Sequence, residues 1–530
     1  MTQFVVFGTN ARGYLTGAFP DGRTPLEYLV ERIEALREIM VDNGVELAPV
    51  ALVVLPSAAE PADALRHDPY RVIRDSGDGA ADLFRTVENE IAPGVEQIVW
   101  LDLDGPFFRV DLAWYLYRLH TKNWCDYTFA DGFPEGYAAQ VLRADILGPL
   151  AALADNGETP RRRTALFDAV SSDINAFDVE TEAAHVDWAL LRASLTVDNR
   201  SNAMLCHRLV QRGVANHHLR DTPNPEYERF PDEDDPLLRV LLDEPTIRRT
   251  LPRYYQVQIT ERMTQRPYWT PWSDERWAPA KEQPESMPID SWRRVLQAIA
   301  EVTPEATIAI GYRGEPAEHP EIVGVLKVAD EYPDLSFYVE TNGVHWSDAA
   351  TEALCGMNNL AAVIVYLDAS DGERYSAIRG STDEYARAIA FVERMREQTP
   401  GIVYVQATRM TDNEDDLPSF YKYWNGVPGV TPLIEKYNSF AGTLPDRRPA
   451  DLTPLDRPAC VHLERDLVVL FDGTVPMCHQ DIDRTRIRGN VLDEDIETIW
   501  ARGAGDFQDH CTGRYGSICK VCDEYYTFNL

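Results

Sequence analysis

Five of the eight cysteines lie beyond residue 455, and their spacing is the strongest chemical signal in the chain. Cys519 and Cys522 form a C-x2-C pair, while Cys460 and Cys478 lie on either side of a hairpin-like run with a turn at Asp472-Gly473. A small fold that joins the two pairs supplies four thiolates, enough for one [4Fe–4S] cluster or one zinc ion. We therefore expect a metal centre there. The alternative is four separate buried thiols, and Cys511 is either a spare ligand or a plain thiol.

A second set of polar residues follows strand-like runs in the middle of the chain. Gly314 and Glu315 follow one run, Glu340 and Asn342 close the next, and Asp368 ends a third. A glycine before a carboxylate lets the backbone approach a ligand amino group, and the carboxylate takes up its charge. We expect these residues to bind a ligand at the strand ends. The alternative is that they only shape turns.

A third set lies near the N-terminus. Gly8 and Arg12 belong to a glycine-containing loop after the first strand-like run, and Asp104 follows a later run. Such a loop and carboxylate hold a nucleotide and Mg²⁺ in some α/β enzymes. The loop lacks the glycine density and the lysine of a working phosphate site, so both retention and loss of nucleotide transfer stay open.

The elements that position these residues follow an α/β pattern. Residues 1–245 alternate short apolar runs with helical periodicity and predict a parallel sheet, followed by a linker candidate at Pro223–Pro236. Between 250 and 440 six strand-like runs and the helical stretches between them predict a partial barrel of parallel strands. The six predicted runs are Tyr254–Ile259, Thr307–Tyr312, Ser336–Thr341, Ala362–Leu367, Val403–Thr408 and Leu433–Tyr437.

Composition excludes several classes of partner. The net charge of −35, with only six lysines, disfavours nucleic acid and anionic lipid surfaces. No run of 18 apolar residues is present, so we expect no membrane span. The first residues enter a strand without the basic and apolar parts of a signal peptide, and we expect a cytoplasmic protein. A reducing compartment favours metal ligands over disulfides for clustered cysteines.

These residues together resemble the spiro-SPASM protein family over essentially the whole chain. The resemblance implies a nucleotidyltransferase-like, Rossmann-like domain at 1–245, a radical S-adenosylmethionine (radical SAM) partial (β/α)6 TIM-like barrel at 246–452, and a SPASM domain at 453–530. It also implies that Cys460, Cys478, Cys519 and Cys522 hold one cluster, since the chain ends eight residues after Cys522. The segments that carry the resemblance are Asp126–Gly132, Pro134 with Gly136, Phe177–Glu182, Thr250–Gln258, Gly314–Pro316, Glu340–Gly343, Glu435–Gly442 and Cys522–Tyr526.

The chain departs from this family at three positions. Met263, Pro267 and Thr270 have the spacing of the C-x3-C-x2-C motif that binds the radical-generating cluster, yet none of them is cysteine. A thioether, an imide ring and a hydroxyl cannot replace three thiolates. We expect no cluster and no radical initiation there, with Tyr268, Trp269 and Trp272 occupying part of the space.

Three functions are consistent with these patterns. The first is an iron–sulfur protein on a radical SAM scaffold, with S-adenosylmethionine, a nucleotide with Mg²⁺, or a small-molecule or peptide partner as further ligands. The second is a nucleotidyltransferase or glycosyltransferase-like enzyme that uses Asp104 and a metal ion. The third is a structural adaptor with zinc in its C-terminal part.

Overall fold

A computed structural model describes residues 1–8, 14–54, 69–75, 79–156, 159–215, 230–277 and 285–527. The chain divides into two units, Met1–Thr250 and Leu251–Leu530. Both units are α/β structures with parallel strand pairing, which confirms the predicted fold class in general terms. Among the described residues no helix combines the length and the apolarity needed to cross a membrane.

The first unit is built on a seven-stranded sheet of order β3-β2-β1-β4-β6-β5-β7. All neighbouring strands pair in parallel except β6, which is antiparallel to β4 and β5. Side chains alternate across β1: Phe4 and Val6 enter one apolar core, and Val5 and Phe7 enter the core on the opposite face. The strands are β1 Thr2–Phe7, β2 Val50–Val54, β3 Tyr70–Arg74, β4 Gln97–Asp102, β5 Tyr127–Asp131, β6 Gln140–Arg143 and β7 Val179–Ala183.

Helices cover both faces of this sheet. The first begins after Thr24, whose side chain accepts from the Glu27 backbone N–H while Glu27 bonds back to Thr24. This capping box, with Pro25 in the first turn, defines where the helix starts. The helices are α1 Pro25–Asp42, α2 Ala80–Glu90, α3 Val110–Asn123, α4 Leu147–Asn156, α5 Ala165–Ser172, α6 Arg200–Gln211 and α7 Pro236–Asp243.

The linker candidate at Pro223–Pro236 is wrong in its described part. Phe230 and Asp232 are buried in the first unit. Asp232 accepts hydrogen bonds from the His185 backbone N–H and from Trp188 Nε1, and Asp235 caps α7. Asp232 and Asp235 accept hydrogen bonds from buried donors and from the start of a helix, so this part of the segment belongs to the first unit and is not a linker.

The second unit contains a parallel sheet of order β13-β12-β11-β10-β9-β8-β14. Each of the six predicted runs corresponds to a strand: Ser336–Thr341 has the predicted ends, and the ends of the other five differ by a few residues. The seventh, β14, comes from the cysteine-rich part of the chain and pairs in parallel with β8, with Val469 opposite Val257. The strands are β8 Tyr254–Val257, β9 Thr307–Ile310, β10 Ser336–Thr341, β11 Leu360–Tyr366, β12 Ile402–Arg409, β13 Val430–Lys436 and β14 Asp466–Val469.

Crossover helices follow most of these strands. The sequence pattern missed two of them, α10 Asp348–Cys355 and α11 Gly372–Ile378, because eight and seven residues show little periodicity. Their starts depend on the Ser347 and Asp371 caps. The helices of the second unit are α8 Ile289–Val302, α9 Ile322–Asp330, α10 Asp348–Cys355, α11 Gly372–Ile378, α12 Thr382–Gln398, α13 Leu417–Trp424, α14 Val461–Arg465, α15 Ile496–Arg502, α16 Ala504–Cys511 and α17 Ser517–Val521.

The predicted hairpin between Cys460 and Cys478 is wrong in its pairing. The turn is present, since Gly473 has a φ of +82° and its N–H donates to the Leu470 carbonyl. The strand before the turn is β14, which pairs with β8. The strand after it, β15 Thr474–Pro476, pairs antiparallel with β16 Ile487–Asn490. The cysteine-rich part of the chain is therefore joined to the large sheet through β14.

Candidate functional site

A cavity of about 360 Å³ opens at the carboxyl ends of the strands of the second unit. We call it the strand-end cavity. This edge of a parallel sheet is where loops gather and where such folds carry their chemistry. Its lining residues are Tyr254, Gln256, Met263, Gln265, Pro267, Trp269, Thr270, Trp272, Gly311, Tyr312, Gly314, Glu315, Glu340, Asn342, Ile364, Tyr366, Arg379, Gln406, Thr408, Leu433, Ile434, Glu435, Lys436, Asn438, Phe440, His479 and Glu524.

Met263, Pro267 and Thr270 lie together in the loop after β8, and all three line the cavity. The loop is closed by its own hydrogen bonds: the N–H and the hydroxyl of Thr270 both donate to the Pro267 carbonyl, at 3.0 and 2.8 Å. The Thr270 hydroxyl therefore already has a partner. None of the described residues that line the cavity is a cysteine.

Bulky side chains fill part of the space beside this loop. Trp272 packs edge-to-face against Phe440, with ring centroids 5.8 Å apart, and Trp269 lines the cavity. Tyr268 is different: its side chain is 42% exposed and lies beneath the Arg447 guanidinium. The expectation that all three aromatic residues occupy the space is wrong for Tyr268, which points away from it.

An arginine that the sequence analysis missed lies beside the same loop. Arg379 donates through Nε to Gln265 Oε1 at 3.1 Å and forms an ion pair with Asp368. Asp368 is fully buried and also accepts from the Thr408 backbone N–H at 2.6 Å. Asp368 thus lies behind the cavity wall, whereas Arg379 lines the cavity. Nothing local marks Arg379 in the sequence, because its partner Gln265 is far away along the chain.

Gly314 and Glu315 stabilise the loops at the cavity wall. This role differs from the predicted one, in which Gly314 lets the backbone approach a ligand. Gly314 has a φ of +106°, and a Cβ there would lie 2.0 Å from the Thr260 carbonyl oxygen. The Glu315 carboxylate accepts from the backbone N–H groups of Ala317 and Asn342, at 3.2 and 2.8 Å, and from the Thr341 hydroxyl. Burial raises the pKa of Glu315 to about 7 against these hydrogen bonds. The pair holds three loops together at the cavity wall.

The cysteines assigned to the metal centre lie near one another in the second unit. Cys460, Cys478 and Cys519 share an apolar cluster with Phe507 and Tyr525. Burial raises the pKa of the Cys460 thiol, and the neighbouring thiols of Cys522, Cys478 and Cys519 raise it further. Cys511 belongs to the same cluster.

The four residues fit a four-thiolate centre in number and chemistry. All are free of disulfides. Burial raises the pKa of Cys478 to about 12, so these thiols lose their protons only when a metal replaces them. The side chains are not already arranged as ligands: within the described ranges no three His, Cys, Asp or Glu side chains form a metal-binding group. Iron–sulfur clusters are the groups that buried sets of four cysteines commonly hold, with zinc as the alternative.

In the first unit the structure places Asp104 in an ion pair. Arg163 donates from Nη1 and Nη2 to the two carboxylate oxygens of Asp104, at 2.8 and 3.1 Å, and also pairs with Asp102 at 2.8 Å. Arg12 lies outside the described residues. The Gly8 carbonyl accepts from Arg161 at 3.4 Å. The predicted Mg²⁺ ligand is thus already neutralised by a guanidinium, which disfavours a metal ion at Asp104.

The arrangement of Asp102 and Asp104 around Arg163 can be tested by the pH dependence of stability. Burial raises the pKa of Asp102 to about 6, with Arg163 opposing the rise and Asp104 adding to it. Between about pH 4 and 6 the Asp102 carboxyl is therefore protonated in the folded state and ionised in the unfolded chain. As a result, the stability of the folded state falls as the pH rises through this range. We expect Asp102→Asn to raise the free energy of unfolding at pH 8 by ~1–3 kcal/mol.

The measurement is denaturant unfolding of both proteins from pH 4 to 8. The gain should shrink towards pH 4, because the wild-type carboxyl is then protonated and uncharged in the folded state. A variant that is less stable than the wild type at pH 8 would show that the Asp102 charge is required by Arg163.

Comparison with known proteins adds three findings. Residues 460–523 match the SPASM model, described as an iron–sulfur cluster-binding domain, and this range includes Cys460, Cys478, Cys519 and Cys522. The chain is similar to the solved structure of BtrN in complex with AdoMet and 2-DOIA, with 16% identity, a TM-score of 0.36, and coverage of 52% of this chain and 94% of that one. It is also similar to Streptococcus suis SuiB bound to the precursor peptide SuiA, with 12% identity, a TM-score of 0.39, and coverage of 64% and 88%.

The chain also has a relative that is matched over nearly all of its own length. A protein of Treponema pallidum (strain Nichols), named "Uncharacterized protein", is 30% identical, and the alignment covers 69% of this chain and 98% of the relative. Identity at this level over nearly the whole relative shows common descent. The chain belongs to the same protein family as this Treponema pallidum protein and carries a SPASM iron–sulfur cluster-binding domain at residues 460–523.

Proposed function

We propose that this protein binds one iron–sulfur cluster in its SPASM domain and a small molecule in the strand-end cavity, without radical initiation. Met263, Pro267 and Thr270 carry this proposal because they line the cavity at the spacing of the radical motif and supply no thiolate. Reductive cleavage of S-adenosylmethionine needs a cluster as its electron source, and three thiolates hold that cluster. The proposal includes the three-domain organisation at 1–245, 246–452 and 453–530, with a partial radical SAM barrel in the middle.

The cluster has a clear structural role in this proposal. His479 and Glu524 line the cavity, and they follow the ligands Cys478 and Cys522 by one and two residues. Lys436 also lines the cavity and donates to Asp523 Oδ2 at 3.0 Å. A cluster on the four cysteines therefore fixes one wall of the cavity, and [4Fe–4S] is the type we propose.

We propose two further candidates for the ligand of the strand-end cavity. One is S-adenosylmethionine, and the other is a peptide in place of a small molecule. The volume of about 360 Å³ is within the range of small-molecule sites. The proposal also includes a nucleotidyltransferase-like fold for the first unit. Nucleotide transfer through a metal on Asp104 is not favoured, because Arg163 occupies that carboxylate.

The proposal is tested by metal content and product analysis on anaerobically prepared protein. We expect about four irons and four sulfides per chain, as one [4Fe–4S] cluster requires. With dithionite and S-adenosylmethionine we expect no catalytic formation of 5′-deoxyadenosine. One zinc per chain without iron would select the structural-adaptor function instead.

About eight irons, or multiple turnovers of 5′-deoxyadenosine, would contradict the loss of radical initiation. The binding of S-adenosylmethionine is measured separately by calorimetry, since binding and cleavage are independent properties. A protein that binds this molecule and does not cleave it fits the proposal.

A further inference from the structure

One end of the strand-end cavity has more carboxylates than cations. Glu340, Glu435 and Glu524 line it, together with the polar residues Gln256 and Gln406. We call these five residues the acidic end. They come from four strands and from the segment after Cys522, so their grouping is a product of the tertiary fold.

The cations near the acidic end already have partners. Lys436 pairs with Asp523 at 3.0 Å and also with Glu524, and Arg379 pairs with Asp368. Each of these cations is thus matched by at least one carboxylate. In the described part of the chain neither cation forms an ion pair with Glu340 or Glu435.

Glu340 and Glu435 bond only to neutral groups in the described part of the chain. The Tyr366 hydroxyl donates to Glu340 Oε2 at 2.7 Å, and the Gln406 amide donates to Glu435 Oε2. Carboxylates that lie close together repel one another, and an opposite charge brought by a ligand relieves that repulsion. The two side chains therefore provide a favourable environment for a positive group.

Gln256 supplies a separate observation that points to a ligand. It lies on β8, is 7% exposed and lines the cavity. Its Oε1 is buried and has no hydrogen-bond partner among the described residues. Buried polar groups are nearly always paired, and a ligand N–H is a suitable donor for this oxygen.

The electrostatics agree with this geometry. Glu435 lines the cavity, and its side chain is exposed there. The surrounding protein raises the pKa of Glu435 to about 8, and the charges of Glu524, Glu340 and Asp368 raise it further while Lys436 opposes them. Several carboxylates therefore act on one another across a small space.

We propose that the acidic end of the strand-end cavity binds an organic cation, namely a primary amine group of a small-molecule ligand. The ammonium N–H groups would bond to Glu340, Glu435 and the Gln256 carbonyl oxygen. Tyr254 and Tyr366 line the same region and offer aromatic faces that also attract cations. This inference rests on the proposed function in one respect, that the cavity is a ligand site, and it names the class of that ligand.

The test uses putrescine as probe, with butanediol and succinate as neutral and anionic molecules of similar length. Binding to the full-length, cluster-containing protein is measured by calorimetry at low salt. We expect putrescine to bind and the other two not to bind. Each of Glu340→Gln and Glu435→Gln should weaken the binding by about tenfold or more, because the loss of one hydrogen bond to a charged group lowers the affinity by about that factor.

Glu352→Gln is the matched control. Glu352 lies on α10 with its side chain 75% exposed and does not line the cavity. Putrescine affinity should be unchanged in this variant. Equal affinity in all three variants and the wild type, binding of succinate in preference to putrescine, or absence of putrescine binding would each overturn the inference.

Iron content measured on the same samples separates this inference from the proposed function. About four irons with no putrescine binding contradicts the amine ligand and leaves the cluster assignment intact. Putrescine binding that depends on Glu340 and Glu435 in protein without iron supports the amine ligand and contradicts the cluster. The two results are thus read independently.

Discussion

Cys519→Ala protein should lose its iron and melt at a lower temperature in the second unit. Cys519 is one of four assigned ligands, and its carbonyl accepts from Arg457 Nη2 at 2.6 Å within the same cysteine-containing cluster. Metal binding to a small, loop-rich segment supplies folding free energy, up to ~10 kcal/mol in structural centres. We expect the iron content to fall from about four per chain to near zero. The melting temperature should fall by at least ~5 °C, since 1 kcal/mol shifts a domain of this size by about 2–4 °C.

Cys511→Ala is the control for this experiment. Cys511 packs in the same apolar cluster but is not assigned as a ligand, so the variant should retain its iron. Both variants are prepared anaerobically and compared by iron and sulfide analysis and by calorimetry. If the Cys519→Ala protein retained its iron and the Cys511→Ala protein lost it, then Cys511 would be the ligand and Cys519 would not.

Arg163→Met should strongly destabilise the first unit. Arg163 is 15% exposed and is shared by Asp102 and Asp104, of which Asp104 is 1% exposed. Removal of one partner from a buried ion pair leaves an uncompensated charge, which typically costs 3–5 kcal/mol. Asp198 is also within 3.7 Å of Arg163 and adds to the repulsion that the variant would uncover.

Hydrogen exchange of β1 and β4 measures this effect in the full-length chain. Arg162→Met is the matched control, because Arg162 is 59% exposed and its pair with Asp168 should contribute no more than ~1 kcal/mol. The double variant Arg163→Met with Asp104→Asn should recover part of the loss. Equal protection in the two single variants would show that Arg163 does not balance the buried aspartates.

The sequence by itself determined the alternation of strands and helices and the type of metal ligand. The run Ser336–Thr341 has the predicted bounds because local periodicity and burial agree there. The spacing of Cys519 and Cys522, and the absence of cysteine at Met263, Pro267 and Thr270, are properties of the residues themselves. No folding information is needed to read them.

The tertiary structure decided which residues meet. β14 joins the large sheet by parallel pairing with a strand more than 200 residues away, and such long-range pairing leaves no local pattern. Gly314 was read as a point of ligand approach, yet it is required by the Thr260 carbonyl of a different loop. Arg163 reaches Asp104 over 59 residues, and Gln256, Glu340 and Glu435 line one cavity although they come from three strands that are not adjacent in the sheet. Whether a charge is balanced, or a hydrogen-bonding group has a partner, depends on residues that are distant in the sequence. Only the folded chain shows these properties.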